Sequence, residues 1–198
     1  MSIGTGARNL LIEAGALKKG HFQLSSGLHS DQYCQCATLF EQPAVAARMA
    51  SLLPESVTLE MAVDVVLTPA IGGILWGYEV ARAIRVRSIF AERDPGGPFK
   101  LRRGFVLYPG EKVLLAEDVI TTGKSVLELV PLVEAAGAKV VGFVTIADRS
   151  QGKFQPTEPL IALARLDFAT HLPGDCPLCA AKVPLDKPGS RTEARPNA

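Results

Sequence analysis

The run Val113-Leu114-Leu115-Ala116-Glu117-Asp118-Val119-Ile120-Thr121-Thr122-Gly123-Lys124-Ser125 decides the fold. Its first four residues read as a buried strand. Two carboxylates follow, then a hydroxyl- and glycine-rich turn that leads into a helix. Carboxylates accept hydrogen bonds from sugar hydroxyls, and a turn that opens a helix presents backbone N–H groups to a phosphate. The spacing therefore points to a site for a phosphorylated ribose. Gly123-Lys124-Ser125 also looks like the end of a nucleoside-triphosphate P-loop, but that motif needs a glycine where Asp118 stands. A carboxylate there would repel a polyphosphate by roughly 1–4 kcal/mol at about 4 Å, which excludes the P-loop. The plain alternative is a strand–turn–helix connection whose acidic residues favour a helix start. The apolar run before the pair and the apolar-periodic stretch after it favour the site.

Working outward, strand and helix signals alternate. Residues 62–67 read as a buried strand, 72–84 as a helix, and 87–90 as the next strand. The helix after the turn spans 125–136 and stops at Gly137. Residues 140–147 form a further strand and 160–164 a weaker one. Such alternation predicts an α/β fold with a parallel sheet, which binds ligands beyond the carboxyl ends of its strands. Thr68, Glu117 and Asp148 all follow strands at that end. Upstream, 7–18 reads as a helix stopped by Gly20, 22–24 and 33–39 as strand-like pieces of a small cap, and 43–53 as a helix begun by Pro43. The Pro- and Gly-rich stretch 92–104 reads as a mobile hairpin with a basic tip, and the polar tail 187–198 as disordered or loosely docked.

The 198 residues suit a single domain, with the cap over about 1–40, the core over about 41–170 and the tail over 171–198. Twenty-one basic residues balance 20 acidic ones, giving a net charge of +1, so no nucleic-acid or membrane partner is indicated. No apolar run is long enough for a membrane span and no signal-peptide pattern opens the chain, so a cytoplasmic location is expected. The cysteines form two close pairs, Cys34/Cys36 and Cys176/Cys179. Together they could make a four-thiolate zinc site, although C-x-C is a poor match to the usual spacing. Cys176 and Cys179 alone could form a redox pair or a metal half-site across a dimer. Reduced thiols are the plainer expectation.

The segment 113–125 resembles the phosphoribosyl-pyrophosphate (PRPP) motif of type I phosphoribosyltransferases. Gly15-Ala16-Leu17 and the run Gly20-His21-Phe22-Gln23-Leu24-Ser25-Ser26-Gly27-Leu28-His29-Ser30 resemble the opening of orotate phosphoribosyltransferases in particular. Thr68-Pro69-Ala70-Ile71-Gly72-Gly73 is similar to that family's pyrophosphate loop, and Ala147-Asp148-Arg149 to the strand end carrying its orotate-binding arginine. The likeness runs in order from about residue 8 to residue 150.

The resemblance implies a type I phosphoribosyltransferase fold with an N-terminal hood and a mobile loop. It implies transfer of phosphoribosyl from PRPP to orotate, with Mg²⁺ as cofactor, in a homodimer. Glu117 and Asp118 would then hold the ribose hydroxyls. Val119, Ile120, Thr121, Thr122, Gly123, Lys124 and Ser125 would complete the PRPP motif, the last five wrapping the 5′-phosphate. Ala70, Ile71, Gly72 and Gly73 would face pyrophosphate. Family members often carry a lysine where Gly72 stands, which shifts charge neutralisation to Arg93; its alternative is an ion pair with Glu92 or Asp94. In the loop 94–103, Lys100 is the preferred catalytic cation, with Arg102 and Arg103 as the other candidates. Ser25, Ser26, Gly27, Tyr33, Thr121 and Arg149 would contact orotate, with lysine frequent in the family at Ser25. His21 and His29 are expected to hydrogen-bond within the hood, and no side chain is assigned as a metal ligand. A transferase for another base and a non-catalytic PRPP-sensing regulator are the competing readings.

Overall fold

The computed structural model describes residues 3–24, 26–55, 57 and 60–188. Its centre is a six-stranded sheet in the order β5-β4-β3-β6-β7-β8. The strands are β3 (Val65–Pro69), β4 (Arg87–Arg93), β5 (Phe99–Leu101), β6 (Lys112–Ile120), β7 (Lys139–Asp148) and β8 (Leu160–Arg165). All neighbours are parallel except β4 and β5, which form an antiparallel hairpin. Val65, Val66, Leu67, Val113, Leu114 and Leu115 are fully buried, as expected of strands covered on both faces.

Helix α1 (Ile3–Glu13), α2 (Pro43–Ala50) and α3 (Gly73–Ile84) contribute to one core with Trp76 and Met49. On the other face, α4 (Lys124–Leu127) and α5 (Val130–Ala135) pack around Phe143 and Phe154. The chain leaves β3 through α3 toward β4 and leaves β6 through α4 and α5 toward β7, so the connections diverge between these adjacent strands. That switch point is where such sheets open a crevice.

Three local features differ from the sequence expectation. Helix α1 ends at Glu13 rather than 18 because Gly15 takes φ +65, with Gly15 N–H bonded to Ile12 O and Ala16 N–H to Leu11 O. This paired-bond ending removes the need for Gly20 as a stop. Gly20 instead lies in β1 (Leu17–Gln23). The expected helix 125–136 is two short helices, because Pro131 has no N–H to continue the first. The piece 33–39 is mostly a 3-10 turn, Cys36–Glu41, after β2 (His29–Cys34).

The hood is also larger than an N-terminal cap. β1 and β2 pair antiparallel, and β9 (Thr170–His171) adds to β2. The chain then returns a second time: Asp186 N–H donates to His21 O and Gln23 N–H to Asp186 O, each at 2.8 Å. Between these contacts lies α6 (Pro177–Ala180). The segment 170–188, all but its first residue assigned to the tail in the sequence reading, is thus part of the hood. The remainder of the tail, 189–198, lies outside the described residues.

Candidate active site

The acidic pair sits at the carboxyl end of β6, at the switch point. Burial pushes the Glu117 carboxyl up from 4.5 to about 8, helped by the neighbouring Asp118 charge. Burial also raises Asp118, although its Oδ1 accepts the Val119 N–H at 2.8 Å. Among the described residues neither carboxylate has a cationic ion-pair partner. Two half-buried acids without a cationic partner at a crevice are candidates for a functional site.

The loop after β3 meets this pair directly. A β-carbon on Gly72 would stand 3.4 Å from Asp118 Oδ1, and one on Gly73 would stand 3.2 Å from Glu117 Oε1. Ala70 N–H is tied to Ala91 O at 2.8 Å, and Ile71 is almost fully exposed. The peptide between them is cis. The loop expected to face pyrophosphate and the carboxylates expected to hold ribose therefore lie side by side.

Beyond the pair, Val119 and Ile120 remain in β6. The Ile120 side chain lies in the core, so only its backbone can face a ligand. Thr121 and Thr122 are exposed in the turn, Gly123 adopts φ +73, and Lys124 N–H is 3.3 Å from Thr122 Oγ1. Lys124 and Ser125 start α4, with Lys124 Nζ free in solvent apart from a 3.9 Å approach to Glu128.

Arg149 follows β7, its N–H held by Ile120 O at 2.8 Å and its guanidinium 4.9 Å from the Phe168 ring centre. It makes no ion pair among the described residues. Its charge acts on Tyr33 and Cys34 of β2, and Asp118 acts on Cys34 as well. Arg149, Asp118 and the hood strand therefore converge. Burial raises the Tyr33 hydroxyl, which donates to Pro188 O at 3.1 Å, while its ring leans on Phe22. Tyr33 thus has a packing role in the hood whatever else it touches. Ser26 and Gly27 (φ +82) form the exposed tip between β1 and β2, and Ser25 lies outside the described residues.

The cationic candidates lie apart from this convergence. The stretch 92–104 is a closed hairpin with Glu92 opposite Lys100 and Arg93 opposite Phe99. Lys100 Nζ lies 2.8 Å from Asp94 Oδ2, Arg102 also bonds Asp94, and Arg103 binds Glu92 at 2.8 Å. Arg93 pairs with Glu128, not Glu92 or Asp94, and stacks 4.1 Å from the Phe99 ring centre. These are exposed pairs of small net strength, so a substrate anion can replace them.

The four cysteines do not form one thiolate site. Cys34 Sγ lies 3.7 Å from Cys36 Sγ, whereas Cys176 and Cys179 gather with His21 and His29. Phe154 and Phe168 escaped the sequence reading; His21 and His29 do hydrogen-bond within the hood, as expected, but their meeting with the cysteines was not foreseen. The aromatic pair carries no motif; for the histidines, Cys176-x-x-Cys179 was the available signal, but it did not say which residues complete it.

The phosphoribosyl transferase domain family matches residues 36–166. The orotate phosphoribosyltransferase of Carboxydothermus hydrogenoformans is 45% identical over 183 residues, covering 92% of this chain and 95% of that relative. That of Thermotoga maritima is 47% identical over 188 residues, covering 93% and 97%. Among solved structures, orotate phosphoribosyltransferase from Aeropyrum pernix has the same fold, with a TM-score of 0.67 at 22% identity over 80% of this chain and 92% of that one.

Proposed function

The chain belongs to the orotate phosphoribosyltransferases, within the phosphoribosyl transferase domain family, and from that premise we propose that the pocket between β3 and β6 is where it acts. The enzyme transfers phosphoribosyl from PRPP to orotate, giving orotidine 5′-monophosphate and pyrophosphate in pyrimidine biosynthesis. The observation that carries the site assignment is the contact of Gly72 and Gly73 with Asp118 and Glu117. In this reading leaving-group donors stand beside ribose acceptors.

In this reading Asp118 accepts from a ribose hydroxyl. Glu117, protonated in the empty pocket near neutral pH, donates or accepts as the second hydroxyl requires. Residues 121–125 hold the 5′-phosphate, with the Val119 and Ile120 backbone leading into the turn. Ala70, Ile71, Gly72 and Gly73 face the pyrophosphate. Arg93 and Lys100 exchange their carboxylate partners for pyrophosphate oxygens. Arg149, held flat by Phe168, takes the orotate carboxylate in a two-pronged bond. Ser25, Ser26, Gly27, Tyr33 and Thr121 border the base. As the bond to pyrophosphate weakens, positive charge grows at the anomeric carbon, and the nearby Asp118 carboxylate stabilises it.

Mg²⁺ fits this pocket only as a companion of the substrate. Glu117 and Asp118 offer hard oxygen donors, but they are two, and Mg²⁺ seeks six oxygens. Substrate oxygens and water must supply the rest. When bound, Mg²⁺ neutralises charge on the pyrophosphate. We extend the proposal to a cytoplasmic homodimer. The exposed Ile71, Leu75 and Tyr78 recur at helical spacing beside the pocket and support a self-interface there.

Following orotate absorbance tests the reading. Loss of signal is expected only when protein, PRPP and Mg²⁺ are all present. Turnover that survives simultaneous replacement of Glu117 and Asp118 by alanine would move the site elsewhere.

A further inference from the structure

We infer that His21, His29, Cys176 and Cys179 form a closed zinc site that clasps the C-terminal segment onto the hood. The four potential ligand atoms all lie within 4.8 Å of one another. His21 Nε2 is 2.9 Å from His29 Nδ1, 3.5 Å from Cys176 Sγ and 3.7 Å from Cys179 Sγ. Cys179 Sγ is 3.2 Å from His29 Nδ1. Tetrahedral zinc, with bonds of about 2.0–2.1 Å to nitrogen and 2.3 Å to sulfur, spaces its ligand atoms by roughly 3.3–3.8 Å. Small side-chain adjustments bring the four into that range.

The tautomer is already set. His21 Nδ1 lies 2.8 Å from Val183 O, a carbonyl that can only accept, so the proton is on Nδ1 and the Nε2 lone pair faces the cluster. A backbone carbonyl in this position is the usual orienting partner of a metal-bound imidazole. Two thiolates and two imidazoles select zinc over the hard cation that accompanies PRPP. His21, His29 and Cys176 are buried and Cys179 closes the solvent edge, so no coordination position is left for a substrate. The site is structural.

Its placement gives it a task. His21 and His29 flank the β1–β2 tip that carries Ser26 and Gly27, while Cys176 stands at the start of α6 and Cys179 lies within it. One ion fixes both stems of the tip to the returning chain. This holds whether or not the tip binds orotate, because it rests on the hood geometry alone.

The test is metal content. Protein purified without a metal-affinity tag or chelator, in a thiol reductant, should carry about one zinc per chain by mass spectrometry. Cys176→Ser/Cys179→Ser should lose it, while Cys34→Ser/Cys36→Ser retains it. Because the first variant can fail to fold, wild-type protein stripped of metal should also take up Co²⁺ and develop the visible bands of a tetrahedral thiolate complex. Wild-type protein that holds no zinc and binds none on addition overturns the proposal. So does zinc retained by Cys176→Ser/Cys179→Ser, or zinc lost equally from Cys34→Ser/Cys36→Ser.

Discussion

Gly123 lies against Phe154 so closely that a β-carbon at 123 would stand 2.0 Å from Phe154 Cδ2. The ring is itself fixed edge-on to Phe143, with centroids 5.5 Å apart, and Gly123 holds φ +73. Two constraints therefore select glycine at one position. Gly123→Ala should lower stability by about 1–3 kcal/mol through overpacking, with added backbone strain, and should weaken PRPP binding. Phe154→Ala removes the clash but not the strain, and itself costs roughly 3–5 kcal/mol, so adding Gly123→Ala to a Phe154→Ala chain should lower the unfolding temperature by less than it does in wild type. Unfolding of Gly123→Ala at the wild-type temperature would contradict the close packing.

The Glu117 carboxyl, raised to about 8, makes stability depend on pH. Between about 4.5 and 8 the folded protein binds a proton that the unfolded chain has released. Stability is then fully present below the unfolded value and declines as pH rises through the folded one. Ligand-free protein should unfold at progressively lower denaturant as pH increases across this window, and Glu117→Gln should flatten that slope. An unchanged slope in the variant would assign the titration to another group.

In the proposed site, Asp118 is the ribose acceptor with the most to lose. Removing a charged hydrogen-bond partner costs about 1.5–3 kcal/mol. Asp118→Ala should accordingly reduce kcat/KM for PRPP by one to two orders of magnitude, read from initial rates at saturating orotate. Unaltered PRPP kinetics would end the ribose assignment.

Arg149 combines a free guanidinium with an aromatic platform. Arg149→Lys keeps the charge but loses the planar fork, so the orotate KM should rise about tenfold with a smaller effect on PRPP. Steady-state titration of each substrate separates the two effects. An equal rise for both would place Arg149 outside the base pocket.

Lys100 is bound to Asp94 at an exposed site, an arrangement worth about 0–1 kcal/mol. Lys100→Ala should leave the melting temperature nearly unchanged while lowering kcat at least about tenfold. A rate within a factor of two of wild type would pass the role to Arg102 or Arg103.

The core was legible because its signals are local. Parallel strands covered on both faces appear as unbroken apolar runs; β7 follows its run closely, whereas β3 begins three residues later than expected and β6 continues through the acidic pair to Ile120. The acidic pair was legible for the same reason, since strand, carboxylates and turn are contiguous. Misread boundaries arose where two breakers competed, as Gly15 and Gly20 did at the end of α1, or where Pro131 interrupted an apolar period. The stretch 92–104 was legible as a hairpin from its Pro and Gly content, and Glu92 and Lys100 do pair across it; the partners of its cations were not. Phe154 against Gly123, Phe168 against Arg149, and His21 against Cys176 are meetings of residues distant along the chain. β9 has only two residues, too few for any periodicity.

β9 and Asp186 complete a sheet that residues 17–34 begin. On the ribosome, the strands of the central sheet emerge in full while His21 and Gln23 still await their C-terminal partners. The central sheet can therefore consolidate first, and the hood becomes the last part of the nascent chain to close.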